Sequence, residues 1–382
     1  MNKAGEGFYP ERVKNNIERA LIVGIDSNYE GNIVSPEESL DELEGLVRAC
    51  GSEVVGRVIA RQARPYPASY ISKGKVEQIA EVCNEEDVDM VVFDVELSPR
   101  QVVNCEDAFG CKVLDRTQII LDIFARHATT GEGKIAVELA QLTYLMPRLV
   151  GKGTMLSRLG GGIGTRGPGE TKLEADRRRI RSRISNLKKQ IDLVDKRKSQ
   201  ARQVRRRRGV FQITLVGYTN SGKSTLLNAL TGANVFVTDG YFSTLDTTTR
   251  KLHLDGKGDV VISDTVGFIS KLPHTLVDAF KATLDIVREA NLIIVVLDGT
   301  SKRIYEQADI VDGVLYELGA GDISRVVVIN KIDMMMKDDV ASKLTLFDGS
   351  IGISAKYGAN LSILVDRIKG YLPDKRVYMH RL

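Results

Sequence analysis

Gly217-Tyr218-Thr219-Asn220-Ser221-Gly222-Lys223-Ser224-Thr225 fits the pattern G-x-x-x-x-G-K-[ST], and its flanks decide what the pattern means. Before it runs Val210-Phe211-Gln212-Ile213-Thr214-Leu215-Val216, apolar and β-branched as a buried strand requires. After it, Leu226-Leu227-Asn228-Ala229-Leu230 continues as a helix. Strand, glycine loop and helix together frame a phosphate-binding loop. Glycines let the backbone wrap a phosphate chain with no Cβ in the way, and successive N–H groups then point inward at a helix N-terminus. In that frame the stretch from Gly217 to Thr225 contacts the nucleotide, Lys223 sits on the β- and γ-phosphates, and Ser224 sits on Mg2+. The bland alternative is a glycine-rich turn before an ordinary helix; the lysine and both flanks argue against it.

At 382 residues the chain has room for about two or three domains, and its 43% hydrophobic content suffices for their cores. No apolar run approaches the length of a membrane span, pieces such as Leu292–Leu297 being strand-sized, and the N-terminus lacks a signal-peptide h-region. A cytoplasmic location is the expectation. Cys50, Cys83, Cys105 and Cys111 form no C-x-x-C pair and have no neighbouring histidine, which points to buried reduced thiols rather than a metal site.

Net charge is only +4, but it is unevenly placed. From Lys172 to Arg208 there are 16 Lys/Arg against 4 Asp/Glu, so this segment carries +12 and the remainder −8. Most charge runs are solvated helical faces. Here the excess is one-signed and the run ends in Arg205-Arg206-Arg207-Arg208, so self-repulsion opposes the helix unless a polyanion neutralises it. Nucleic acid is the favoured partner; a phosphoinositide surface is less so, because no large apolar face accompanies the bases.

From Ala20 to about Arg116 short apolar strands alternate with helices, as a small parallel α/β sheet requires. Ser35-Pro36-Glu37-Glu38 reads as a capped helix start, and Pro99–Phe109 as a later helix. The segment Arg64–Lys75 mixes prolines, aromatics and bases and reads as a rigid loop more readily than as a nucleic-acid contact. Two long helical patterns follow, one through Ile135, Leu139, Leu142 and Leu145, the other through Leu173, Ile180, Ile184, Leu187, Ile191 and Val194. Between them, Gly151–Gly169 is about two-fifths glycine and carries Lys152, Arg158 and Arg166 with no acid. An antiparallel helix pair with a flexible basic loop at its tip is the economical arrangement.

After Val210 the pattern is doubly wound, with strands near 211–216, 250–255, 259–264, 292–297, 325–330 and 349–353. Asp255-Gly256-Lys257-Gly258 makes the second and third a hairpin, one antiparallel edge on a parallel sheet. That pattern resembles a Ras-like guanine-nucleotide domain, and four further pieces occur in its order. Phe242-Ser243-Thr244-Leu245-Asp246 stands where a first switch places a threonine, Thr244, on Mg2+ and the γ-phosphate. Asp264-Thr265-Val266-Gly267 ends the third strand, with Asp264 behind Mg2+ and the Gly267 N–H on the γ-phosphate. Asn330-Lys331-Ile332-Asp333 ends the fifth strand and Ser354-Ala355-Lys356 follows the sixth. Asp333 can accept from the guanine ring N–H and exocyclic amine, a donor pair adenine lacks. Where Ras carries a glutamine that orients the attacking water, this chain has Phe268, so intrinsic hydrolysis is expected to be slow.

Gly133–Leu142, Gly161–Thr171 and Phe242–Asp246 carry a narrower likeness, and on them the sequence resembles the HflX family of translational GTPases across nearly its whole length. The resemblance implies a fold of class α/β: an N-terminal parallel α/β domain (1–130), a long antiparallel helix pair with a glycine-rich basic loop (131–209), a Ras-like P-loop GTPase domain (210–373) and a basic tail (374–382). It implies GTP/GDP and Mg2+ as ligands, with Lys223, Thr244 and Gly267 in catalysis. The implied partners are the large ribosomal subunit and ribosomal RNA, bound by a monomer that dissociates or rescues ribosomes. Some family members carry a larger domain after the GTPase unit, whereas little follows Leu372 here, so that domain's contacts are not assumed. A regulatory switch docking to a protein, with hydrolysis incidental, is the alternative. An RNA-modifying enzyme would need a second active site, which no upstream constellation offers.

Overall fold

The computed structural model describes residues 17–26, 35–158, 168–207, 209–232, 241–242, 248–271 and 286–373. A first parallel sheet arises from β1 (Arg19–Asp26), α1 (Pro36–Ala49), β2 (Glu53–Arg61), α2 (Lys73–Glu85), β3 (Met90–Phe93), α3 (Pro99–Phe109), β4 (Lys112–Asp115) and α4 (Arg116–His127). Its order is β2-β1-β3-β4, with every neighbouring pair parallel. α1 and α4 cover one face, packing Leu43 and Ile120 over Ile22 and Val92, while α2 and α3 pack Ile79 and Phe109 over Val23 and Phe93 on the other. Burial from both sides explains why β1 and β3 read as unbroken apolar runs.

The helix starts follow their sequence signals. Ser35 Oγ accepts from Glu38 N at 3.2 Å, with Pro36 at the first position. Ser98 and Gln101 form a reciprocal capping box ahead of α3. The alternation read from sequence ends near Arg116, and the structure adds α4 beyond it, capped by Asp115, which accepts from Gln118 N at 3.0 Å. The segment Arg64–Lys75 is tied down: Tyr66 O accepts from Gln101 Nε2 at 3.0 Å and Ala68 O from Asn104 Nδ2 at 2.7 Å. All four cysteines are free thiols, and burial pushes those of Cys50 and Cys105 up to about 12.

α5 (Gly131–Arg158) and α6 (Pro168–Arg207) run antiparallel, joined by Arg183 on Glu138 at 2.6 Å and by Lys198 on Glu132. Val137, Ala140 and Tyr144 of α5 fasten the pair to α4. The glycine-rich loop begins later than the expected Gly151, because α5 runs through Gly151 and Gly153 to Arg158. A glycine costs about 1 kcal/mol against alanine inside a helix, too little to stop one already propagating. Residues 159–167, Arg208 and the tail 374–382 lie outside the described residues.

The second sheet is formed by β5 (Gln212–Gly217), α7 (Lys223–Thr231), β6 (Thr249–Leu254), β7 (Gly258–Asp264), β8 (Leu292–Asp298), α8 (Ile304–Glu317), β9 (Arg325–Asn330), α9 (Lys337–Leu346), β10 (Ile351–Gly352) and α10 (Leu361–Tyr371). The order is β10-β9-β8-β5-β7-β6, with β6 alone antiparallel. Parallel strands end on the same side, so Gly217, Asp264, Asp298 and Asn330 reach one edge of the sheet.

That edge is also where the two units meet. Tyr218, Phe242, Val266 and Ile269 share a core with α1, α4 and α5. The Phe242 ring stands edge-on to Phe124 at 4.6 Å, and a Cβ on Gly45 of α1 would lie 2.2 Å from the Tyr241 ring. Among the described residues no helix is long and apolar enough to cross a membrane.

Candidate nucleotide-binding site

β5 delivers the chain to Gly217 and α7 takes it up again at Lys223. Between them Gly222 holds φ at +89°, and a Cβ there would lie 2.3 Å from Asn330 Nδ2; a side chain fits neither the dihedral nor the space. Asn220 takes φ +60°, in the left-handed region that asparagine tolerates. Lys223 is buried beneath the loop and donates to Gly217 O at 3.1 Å and Tyr218 O at 2.8 Å. Burial pulls its ammonium down to about 8, opposed by the attraction of Asp264. A buried cation bonded to neutral carbonyls is the electrostatic counterpart of a phosphate chain.

Around it the donor set has room for such a ligand. The hydroxyls of Thr219 and Ser221 are buried with no protein partner among the described residues. Ser224 Oγ donates to Asp264 Oδ2 at 2.6 Å, a hydroxyl backed by a buried carboxylate, which suits a hard cation held by oxygen. Thr225 follows half-buried on α7.

Asn330 staples three segments together. Its Nδ2 donates to Ser221 O at 2.9 Å and its Oδ1 accepts from Ala355 N at 2.9 Å, so the phosphate loop, the end of β9 and the loop after β10 share one side chain. Lys331 takes φ +66° and places its ammonium 2.7 Å from Asp298 Oδ2. Asp333 is exposed on the 3-10 turn Ile332–Met334. Ser354 Oγ accepts from Tyr357 N at 3.3 Å, and exposed Lys356 lies 5.4 Å over the Tyr357 ring.

Beyond Asp264, a Cβ on Gly267 would lie 2.8 Å from Thr219 Cα and 3.1 Å from Lys223 Nζ, so only glycine comes this close to the loop. Phe268 then pairs with it: its N–H donates to Gly217 O at 3.1 Å and its carbonyl accepts from Thr219 N at 2.8 Å. The Phe268 ring is 2% exposed, among Val216, Val287 and Ile293. The first position of this switch therefore offers no hydrogen-bonding side chain and keeps its ring in the core. Phe242 commits its ring to Phe124, while Thr244 lies outside the described residues.

Other side-chain contacts at this edge follow from no sequence motif. The Tyr218 hydroxyl donates to Glu42 Oε1 at 2.6 Å and accepts from Ser270 N at 2.7 Å, and Ser270 Oγ donates to Glu42 Oε2 at 2.7 Å. Arg116 places Nη2 3.1 Å from Glu42 Oε1 and 3.3 Å from Ser270 O, and Nη1 2.7 Å from Asp94 Oδ1. Lys271 reaches Asp94 Oδ2 at 2.8 Å. One signal of the cluster does exist in the sequence: Glu42 lies on the buried stripe of α1, at helical spacing from Ser39 and Leu46, where a charge requires a partner.

Three family models match the chain: "GTP-binding GTPase N-terminal" over residues 37–125, "GTP-binding GTPase Middle Region" over 127–205 and "50S ribosome-binding GTPase" over 212–331. Among similar relatives, GTPase HflX of Caldanaerobacter subterraneus is 48% identical over 88% of this chain and 77% of its own length. GTPase HflX of Escherichia coli is 43% identical over 92% of this chain and 83% of its own. A crystal structure of SsGBP with GDP superposes with a TM-score of 0.51 at 26% identity, covering 93% of this chain and 98% of that one.

Proposed function

The chain belongs to the HflX family of GTPases, and from that premise we propose how its residues hold GTP and what the cycle drives. The backbone from Gly217 to Gly222 wraps the β-phosphate, Lys223 moves its ammonium from loop carbonyls to the β- and γ-phosphates, and the buried hydroxyls of Thr219 and Ser221 find partners on the ligand. Ser224, with Asp264 behind it and Thr244 from the first switch, would hold Mg2+. When bound, Mg2+ neutralises the charge that develops on the β- and γ-phosphate oxygens. Gly267 N–H meets the γ-phosphate. Asp333 accepts from the guanine edge at about 1.5–3 kcal/mol per charge-assisted bond, enough for roughly hundredfold preference over adenine, with Asn330, Lys331, Ser354, Ala355 and Lys356 shaping the base pocket.

Phe268 cannot orient water, so turnover by the free protein is slow and a partner completes the site. That partner is the large ribosomal subunit, whose RNA meets α5 and α6. The observation that carries this is the excess of bases kept out of every core on α6: Arg178, Arg179, Arg181, Lys188, Lys189 and Arg197 are exposed. The family description of residues 212–331 as a 50S ribosome-binding GTPase supports the same reading. GTP-bound protein docks in the cytoplasm and dissociates or rescues ribosomes; hydrolysis releases it. Cosedimentation with separated subunits under GTP, GDP and a non-hydrolysable analogue tests this. The analogue should drive the protein into the large-subunit pellet and GDP should leave it in the supernatant; equal pelleting under both would overturn the coupling.

A further inference from the structure

We propose that the N-terminal domain is part of the γ-phosphate sensor, with Glu42, Asp94 and Arg116 as positioning residues that set where Gly267 stands. Gly267 lies between two anchored points. On one side Phe268 is bonded through both backbone groups to Gly217 and Thr219. On the other, Ser270 and Lys271 are gripped from outside the GTPase unit, Ser270 through its carbonyl by Arg116 and its hydroxyl by Glu42, and Lys271 through its ammonium by Asp94. The Ser270 N–H ends on Tyr218, itself a phosphate-loop residue, whose hydroxyl passes the contact to Glu42. Loop and switch are thus locked to one another by a carboxylate on α1.

The grip is stiff because its members have no solvent to exchange with. Arg116 is 2%, Asp94 1% and Glu42 5% exposed, and Arg116 bridges the two carboxylates. Each member holds more than one other, Asp94 also taking Lys271 and Glu42 also taking Tyr218 and Ser270, so losing one strips a bond from its neighbours in a buried site and the cluster moves as a unit or not at all. Arg303 at the entry to α8 adds a looser contact to Glu42 at 3.6 Å. GDP has no γ-phosphate for Gly267 to meet. A loss of switch position therefore weakens GTP and spares GDP, whereas a loss of mere domain adhesion affects both alike. This inference rests on GTP binding at the loop and is independent of the ribosome.

Two substitutions test it on the free full-length protein, with fluorescent GDP and a non-hydrolysable GTP analogue as probes. Ser270→Ala keeps the backbone N–H and carbonyl and removes only the hydroxyl that meets Glu42 and Arg116; Glu42→Gln keeps the shape and removes the charge. Each should weaken the analogue about five- to tenfold, the value of one hydrogen bond, and leave GDP within about twofold. Because both act through Ser270, the double variant should lose little more than the worse single one. Should Glu42→Gln fail to fold, Ser270→Ala still decides. Equal weakening of both nucleotides, or no change in either, overturns the proposal, while wild-type GDP binding checks the site itself.

Discussion

Charge is concentrated in two places in this protein, and they behave as opposites. Where the N-terminal domain meets the GTPase unit, Glu42, Asp94, Arg116 and Lys271 mix signs within hydrogen-bonding distance, three of them almost wholly buried. Along α6 basic residues outnumber acidic ones three to one, and Arg178, Arg179, Arg181, Lys188, Lys189 and Arg197 face water. Burial makes the first set costly to break and indifferent to salt; exposure makes the second structurally dispensable and salt-sensitive. The same residue types therefore serve an internal lock in one place and a docking surface in the other.

Removing a member of the lock should give the largest effect. Arg116→Ala removes the cation that two buried carboxylates share, leaving Asp94 with Lys271 and Glu42 with the looser Arg303 contact, and should cost about 3 kcal/mol of stability by urea titration. A loss below about 1 kcal/mol would place the cluster with ordinary surface pairs. Lys223→Ala removes the buried cation beneath the phosphate loop. It should reduce GTP and GDP affinity by at least about a hundredfold in equilibrium binding, since a charged hydrogen-bonding pair and its desolvated site are both lost. Retained micromolar affinity would detach the loop from nucleotide binding. Asp333→Asn should narrow the preference for GTP over ATP by about tenfold or more, read by competition against a labelled guanine nucleotide. On α6, replacing Arg178, Arg179 and Arg181 with alanine should leave stability within about 0.5 kcal/mol while lowering large-subunit affinity. The salt slope of binding should flatten by about one for each phosphate no longer neutralised. An unchanged salt slope would make the arm a solvated face.

Much of this is legible in the sequence because the signals are local. Pro36 after Ser35, the capping box at Ser98 and Gln101, and Gly222 before Lys223 each specify their own backbone, and apolar runs such as Leu292–Leu297 announce buried parallel strands. The order of motifs from Gly217 to Lys356 then implies one edge of one sheet, and Asn330 joins three of them there. What stays hidden is relational. Tyr218 occupies a variable position of the phosphate loop, and its hydroxyl finds Glu42 across 176 residues of sequence. Arg116 and Ser270 are 154 residues apart, and no periodicity connects them. α4 is hard to read because its start lies directly against β4 with no intervening turn residues. The helical course of Gly151–Arg158 is masked by glycine content, which propagation from α5 overrides.

A slow enzyme whose missing catalytic help comes from the partner of α6 is the central claim, and steady-state GTP turnover with and without purified large subunits tests it most directly. At low salt large subunits should raise turnover at least about tenfold, and added salt should abolish the stimulation by dissociating the complex while leaving the basal rate unchanged. Turnover that is the same with and without large subunits, or stimulation that persists at high salt, would contradict it.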